Sequence, residues 1–125
     1  MHMKASSPHD LSRLIIEALN SGDVDMVVSL YEPDGVIAPD PNQIVSGRAA
    51  IRSLAADFLA QRPRLILHDS EVVQAGDVAL IRSRVTQTML QAEQKTETVL
   101  EPVLVARRQT DGCWLIAIDR PLTAG

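Results

Sequence analysis

The spacing of apolar positions changes once along this chain, near Arg64, from a period of about 3.6 to a period of 2. Before that point, Leu11, Leu14, Ile15, Ala18 and Leu19 form one helical stripe. Ser7-Pro8-His9-Asp10 starts it: Ser7 caps, Pro8 takes the first helical position where no N–H is needed, and Asp10 completes a capping box. Gly22 ends the helix in the left-handed conformation that glycine tolerates best. Asp23 then caps a second helix, with Val24, Val27, Val28 and Tyr31 facing inward. Pro33-Asp34-Gly35 is a turn, and Gly35 to Pro39 a short strand. Ser46 is expected to cap a third helix, whose stripe is Ile51, Leu54, Ala55, Phe58 and Leu59, and Arg62-Pro63 ends it.

After Arg64, four strands are expected: Leu65–Gln74, Val78–Leu90, Thr96–Gln109 and Cys113–Arg120. Gly76-Asp77 and Asp111-Gly112 are hairpin turns, and Gln91 to Gln94 a looser one. This order predicts an α+β domain, three N-terminal helices packed on a strongly curved antiparallel sheet. In the last strand, alternation puts Trp114, Ile116 and Ile118 on one face and Leu115, Ala117 and Asp119 on the other. The strand before it has aliphatics on both faces, Leu100, Leu104 and Ala106 against Val99, Val103 and Val105. A sheet apolar on both faces needs cover on both. The helices cover one, and a second copy of the chain is expected on the other, giving a homodimer.

Composition narrows the class. At 125 residues the chain fits one domain, residues 8–121, with 1–7 read as a disordered N-terminus or cloning remnant and 122–125 as a tail. An apolar share of 46% excludes disorder, yet no run of about 18 apolar residues exists to span a membrane. The aromatics are Tyr31, Phe58 and Trp114, so the core must be built from Val, Ile, Leu and Ala. Net charge is −4 with no basic block beyond Arg107-Arg108, which argues against nucleic acid as a partner. Cys113 stands alone, no Cys/His set has zinc spacing and no glycine-rich phosphate loop occurs, so neither metal nor cofactor is expected. Met1 to Ser7 is polar with no apolar signal region, and a cytoplasmic protein is the expectation.

Four motifs, Asn20-Ser21-Gly22-Asp23, Leu30-Tyr31-Glu32-Pro33-Asp34, Ser46-Gly47-Arg48-Ala49-Ala50-Ile51 and Asp111-Gly112-Cys113-Trp114, resemble the SnoaL-like, ketosteroid-isomerase-like branch of the nuclear-transport-factor-like superfamily. The resemblance runs from Leu11 to Pro121 and implies a cone-shaped α+β barrel, helices closing its base, a pocket inside, and dimers through the outer face. Ketosteroid isomerases set an aspartate base opposite a tyrosine and a protonated aspartic acid. The resemblance implies Asp40 as the base, just after the first strand, and Glu101 as the second acid. It also puts Ile15 at the place of the family tyrosine, which argues against steroid isomerisation by that mechanism. The SnoaL-like cyclases use a histidine and an aspartate on the pocket walls, and His68 is the histidine within an expected strand.

Each candidate has two readings. Asp40, held between Pro39 and Pro41, is either an aimed carboxylate or an exposed turn residue. Glu101, among aliphatics, is either a general acid or a cross-strand partner of Arg82 or Arg84. Those two arginines share a face with Leu80 and Thr86; inside a cone they would hold a carboxylate-bearing ligand, outside they would meet a dimer partner or solvent. Asp119 either enters the pocket or bonds the chain end. Tyr31, His68 and Trp114 either touch ligand or serve as core, interface or exposed strand residues. Two functions follow: acid–base chemistry of isomerase or cyclase type on a small apolar carbonyl compound, with Asp40, Glu101 and Asp119 as its acids and bases, or a non-catalytic dimeric module that binds a small molecule or a partner.

Overall fold

The computed structural model describes residues 4–91 and 93–124. Helix α1 spans Pro8–Ser21, with the Ser7 Oγ accepting from the Asp10 N–H at 3.4 Å and Gly22 closing it at φ 75°. Helix α2 spans Val24–Ser29, capped by Asp23. Strands β1 (Tyr31–Asp40) and β2 (Gln43–Ser46) precede helix α3 (Arg48–Ala60). Strands β3 (Arg64–Ala75), β4 (Val78–Gln91), β5 (Gln94–Leu100), β6 (Val103–Arg108) and β7 (Trp114–Arg120) follow. They form one sheet in the order β2-β1-β7-β6-β4-β3, with β5 also paired to β4. β1 joins β7 in parallel and the other pairs are antiparallel. The fold is the expected α+β arrangement.

Several local expectations change. Tyr31 opens β1 rather than closing α2, and β2 is an additional strand. The cap of α3 is Gly47, at φ 87° with no side-chain bond, because its N–H donates to the Gly35 carbonyl at 3.0 Å and ties α3 to β1. The expected strand Thr96–Gln109 becomes β5 and β6. Both hold one register on β4, and the break falls at Glu101-Pro102, where proline has no N–H to donate. Within the expected N-terminal tail, Ala5 is fully buried and its carbonyl accepts from the Trp114 N–H at 2.9 Å; residues 1–3 lie outside the described residues. At the other end Thr123 bridges Leu100. The expected turn at 91–94 includes residue 92, outside the described residues.

Strand bulges make the largest correction. Between Val105↔Ile118 and Ala106↔Ile116 the register of β6 and β7 slips by one residue, leaving Ala117 without a partner. One extra residue inverts the alternation that follows. Asp119 therefore shares the inner face with Trp114 and Ile116, and Ile118 turns outward, 40% exposed. A second slip, between Leu67 and Asp69, swings β3 around His68, so Leu65 and Leu67 face inward before it and Ser70 and Val72 after it.

The core lies between the helices and this inner face, with Leu11, Leu14, Leu30, Ile51, Ile81 and Ile116 at its centre. On the outer face, register aligns Val73, Leu80, Val105, Ile118 and Val36 in an apolar row across five strands. Leu11→Ala and Ile81→Ala should each lower stability by roughly 2–5 kcal/mol, read as a shift in the urea midpoint. Phe58→Ala should cost less than the roughly 3–5 kcal/mol of a fully packed phenylalanine, because that side chain faces a cavity.

Candidate functional site

The helices do not fill the concave side of the sheet. They leave a cavity of about 250 Å³, walled by Ile15, Ile16 and Leu19 of α1, Leu54 and Phe58 of α3, and the inner residues of β1, β3, β4 and β7. Its lining is predominantly apolar, mostly aliphatic, with Tyr31 and Phe58, two of the chain's three aromatics, in the wall. Among the described residues, Asp119 is the one charged side chain in that wall.

Asp119 reaches the cavity through the Ala117 bulge, and its strand neighbours in register are Ile37 and Leu104. The Tyr31 hydroxyl donates to its Oδ2 at 2.6 Å. Tyr31 is positioned at both ends. Its carbonyl accepts from Arg48 Nη2 at 2.8 Å and Nε at 3.3 Å, so the first residue of α3 fixes the strand residue whose phenol meets the acid. Burial pushes the Asp119 carboxyl up to about 6, against the opposing pull of the Tyr31 hydrogen bond. Burial, then the Asp119 charge and the hydrogen bond itself, push the Tyr31 phenol well above its ordinary value. Tyr31 therefore stays a donor across the neutral range while Asp119 changes state within it.

The other candidates lie elsewhere. Asp40 is exposed at the end of β1, where its Oδ1 accepts from the Asn42 N–H at 2.8 Å and shapes the turn to β2; its neighbour Pro39 lines the cavity instead. Glu101 stands opposite Arg84, 3.7 Å from its guanidinium, on the outer side of the break between β5 and β6. Arg82 and Arg84 are exposed on the outer face, because β4 turns Ile81, Ser83 and Val85 inward. His68 is exposed at the β3 bulge, with Nε2 2.7 Å from Thr86 Oγ1. Trp114 is buried under the Arg108 guanidinium, 5.5 Å from the ring centroid, and does not line the cavity. Of the eight candidates, Tyr31 and Asp119 are the two that line the cavity, and they meet there, whereas Glu101 and Arg84 pair on the outer face.

Three polar wall residues escaped the sequence reading: Ser12, Ser83 and Gln87. Their signals were present. Ser12 precedes Ile15 and Ile16 by one helical turn, and Ser83 and Gln87 alternate with Arg82 and Arg84 and so face the other way. The Ser12 hydroxyl is buried without a partner, and Ser83 Oγ lies 3.0 Å from Ser70 Oγ.

The raised carboxyl has a stability signature. The folded chain holds the Asp119 proton up to about pH 6, whereas the unfolded chain releases it from about 3.8. Between those values the unfolded state binds fewer protons, so stability falls as pH rises and levels off above 6. In Asp119→Asn that contribution is absent. The stability of the parent relative to this variant should drop, by up to on the order of 3 kcal/mol, from below the window to above it. Urea unfolding at a series of pH values measures this, and a constant difference would contradict it.

Solved structures of known proteins share this architecture. A candidate calcium/calmodulin-dependent protein kinase II association domain from Xanthomonas campestris matches at 26% identity and a TM-score of 0.79, over 99% of this chain and 97% of that one. A function-unknown protein from Mycobacterium tuberculosis matches at 25% identity and a TM-score of 0.82, over 93% of this chain and 69% of that one. A ketosteroid isomerase-like protein from Erwinia carotovora atroseptica matches at 19% identity and a TM-score of 0.81, over 94% and 93%. Among curated proteins none matches the chain. The model of the SnoaL-like domain matches residues 12–116, most of the chain, and with the helix-backed cone and its inward cavity this shows that the protein belongs to the SnoaL-like domain family.

Proposed function

We propose that the protein binds a small, mostly apolar carbonyl compound in the cavity and moves a proton on it, in chemistry of isomerase or cyclase type. The observation that carries this reading is the Tyr31–Asp119 hydrogen bond inside an aliphatic wall. A carboxyl held near 6 is poised between acid and base at neutral pH. Ionised Asp119 takes a proton from the carbon beside the carbonyl and returns it at another position. The Tyr31 phenol stabilises the carboxylate and shares its charge. Asp119 thus takes the part first assigned to Asp40, and a phenol from β1 stands in a cavity whose Ile15 cannot donate a hydrogen bond.

A second reading keeps the cavity and omits the chemistry. It draws on one feature: Ser12, Ser83 and Gln87, the other polar wall residues, do not titrate near neutrality, so among the described residues Asp119 has no second acid–base group beside it in the wall except Tyr31. The two readings separate on a generic proton-transfer probe. With 5-nitrobenzisoxazole, a desolvated carboxylate removes the ring C–H proton, the N–O bond breaks and a coloured phenolate is released. The rate should rise with pH about a midpoint near 6, the value of Asp119. Asp119→Asn should reduce it to background, and Tyr31→Phe should raise the midpoint, because the lost hydrogen bond favoured the ionised form. Binding of the probe without ring opening would favour the non-catalytic module.

We also infer a homodimer through the outer face. The row Val73, Leu80, Val105, Ile118 and Val36 leaves large apolar side chains uncovered, with Val73 60% and Leu80 42% exposed. Sedimentation velocity at micromolar concentration should give twice the chain mass, and Leu80→Lys should give the monomer. A monomeric parent protein would contradict the proposal.

A further inference from the structure

We propose that the cavity sorts its ligands by charge: it accepts an uncharged apolar molecule, holds the ammonium form of an apolar amine more tightly, and rejects a carboxylate of the same skeleton. This rests on the cavity being the binding site, but not on its catalysing a reaction. The placement of charge carries it. Among the described residues the wall holds one carboxylate and no Lys, Arg or His. The cations that would have suited a carboxylate ligand, Arg82 and Arg84, stand on the far side of the sheet.

Among the described residues, no element packed around Asp119 brings a compensating charge into the wall. Ile37 of β1 and Leu104 of β6 flank it in register, and Tyr31 gives it a neutral hydrogen bond. Helix α1 contributes Ser12, β4 contributes Ser83 and Gln87, and α3 contributes apolar residues. Arg120 follows Asp119 in sequence but pairs in register with Val103 and does not line the cavity. A second anion brought into this low-dielectric space meets an unscreened like charge, or forces Asp119 to keep its proton. An ammonium group supplies the missing partner. It need only offset its own desolvation, since that of the carboxylate has already been met in folding.

Cyclohexylamine, cyclohexanol and cyclohexanecarboxylate share one ring and differ in charge. Each is titrated into the protein, with the methyl signals of the wall residues followed by NMR. At pH 8 the amine, present as ammonium, should bind at least tenfold more tightly than the alcohol, and the carboxylate at least tenfold more weakly. At pH 5, where Asp119 is protonated, the advantage of the amine should disappear. In Asp119→Asn the order should collapse at both pH values. If that variant does not fold, the pH dependence of the parent protein decides. A carboxylate that binds as well as the alcohol at pH 8, an amine affinity unchanged between the two pH values, an order that survives in Asp119→Asn, or no binding of any probe would each overturn the proposal. The charge order without ring opening of 5-nitrobenzisoxazole would uphold this inference and remove the acid–base reading. Ring opening without the charge order would do the reverse.

Discussion

Ala117, one residue without a partner between β6 and β7, decides which side of the sheet Asp119 faces. With strict alternation the carboxylate would lie on the outer face and Ile118 would point into the cone. The bulge exchanges them. The exchange puts a charge where burial penalises it and leaves an isoleucine where water reaches it, neither of which favours folding. Tyr31 meets part of that cost with its hydrogen bond, and the rest appears as the raised carboxyl. A group held against its own solvation in a cavity is a common mark of a functional site.

The elements that hold this arrangement are those that give the sequence its recognisable motifs. Gly47 adopts a positive φ so that its N–H reaches the Gly35 carbonyl, and Arg48 then caps the carbonyl of Tyr31. Together these contacts clamp both ends of the irregular stretch of β1 between Tyr31 and Val36. The Leu30-Tyr31 and Ser46-Gly47-Arg48 motifs are thus structural in origin and still act on the site, since they aim the phenol.

The helices and hairpins were legible because their signals are local. Ser7, Pro8, Gly22 and Asp23 mark the helix ends in the sequence and in the structure alike. The family motifs, equally local, named the fold. The site was legible only in part. Tyr31 and Asp119 were both candidates, but their meeting depends on the parallel pairing of β1 with β7, which brings together residues far apart in sequence. Asp40 and Glu101 were drawn from positions in a resembling family, whereas here an Asx turn and an ion pair with Arg84 occupy them. Bulges at His68 and Ala117 leave no mark in an aliphatic alternation, so the strand faces could not be assigned from the sequence.

The central claim is that Asp119 lies desolvated in the cavity with Tyr31 as its hydrogen-bond donor. Titration of the Asp119 side-chain carboxyl carbon by NMR, in the parent protein and in Tyr31→Phe, tests it most directly. The account predicts a midpoint of about 6 in the parent and a higher one in the variant. A parent midpoint near ~4, the value of a free carboxyl, or no shift on loss of the phenol, would contradict it.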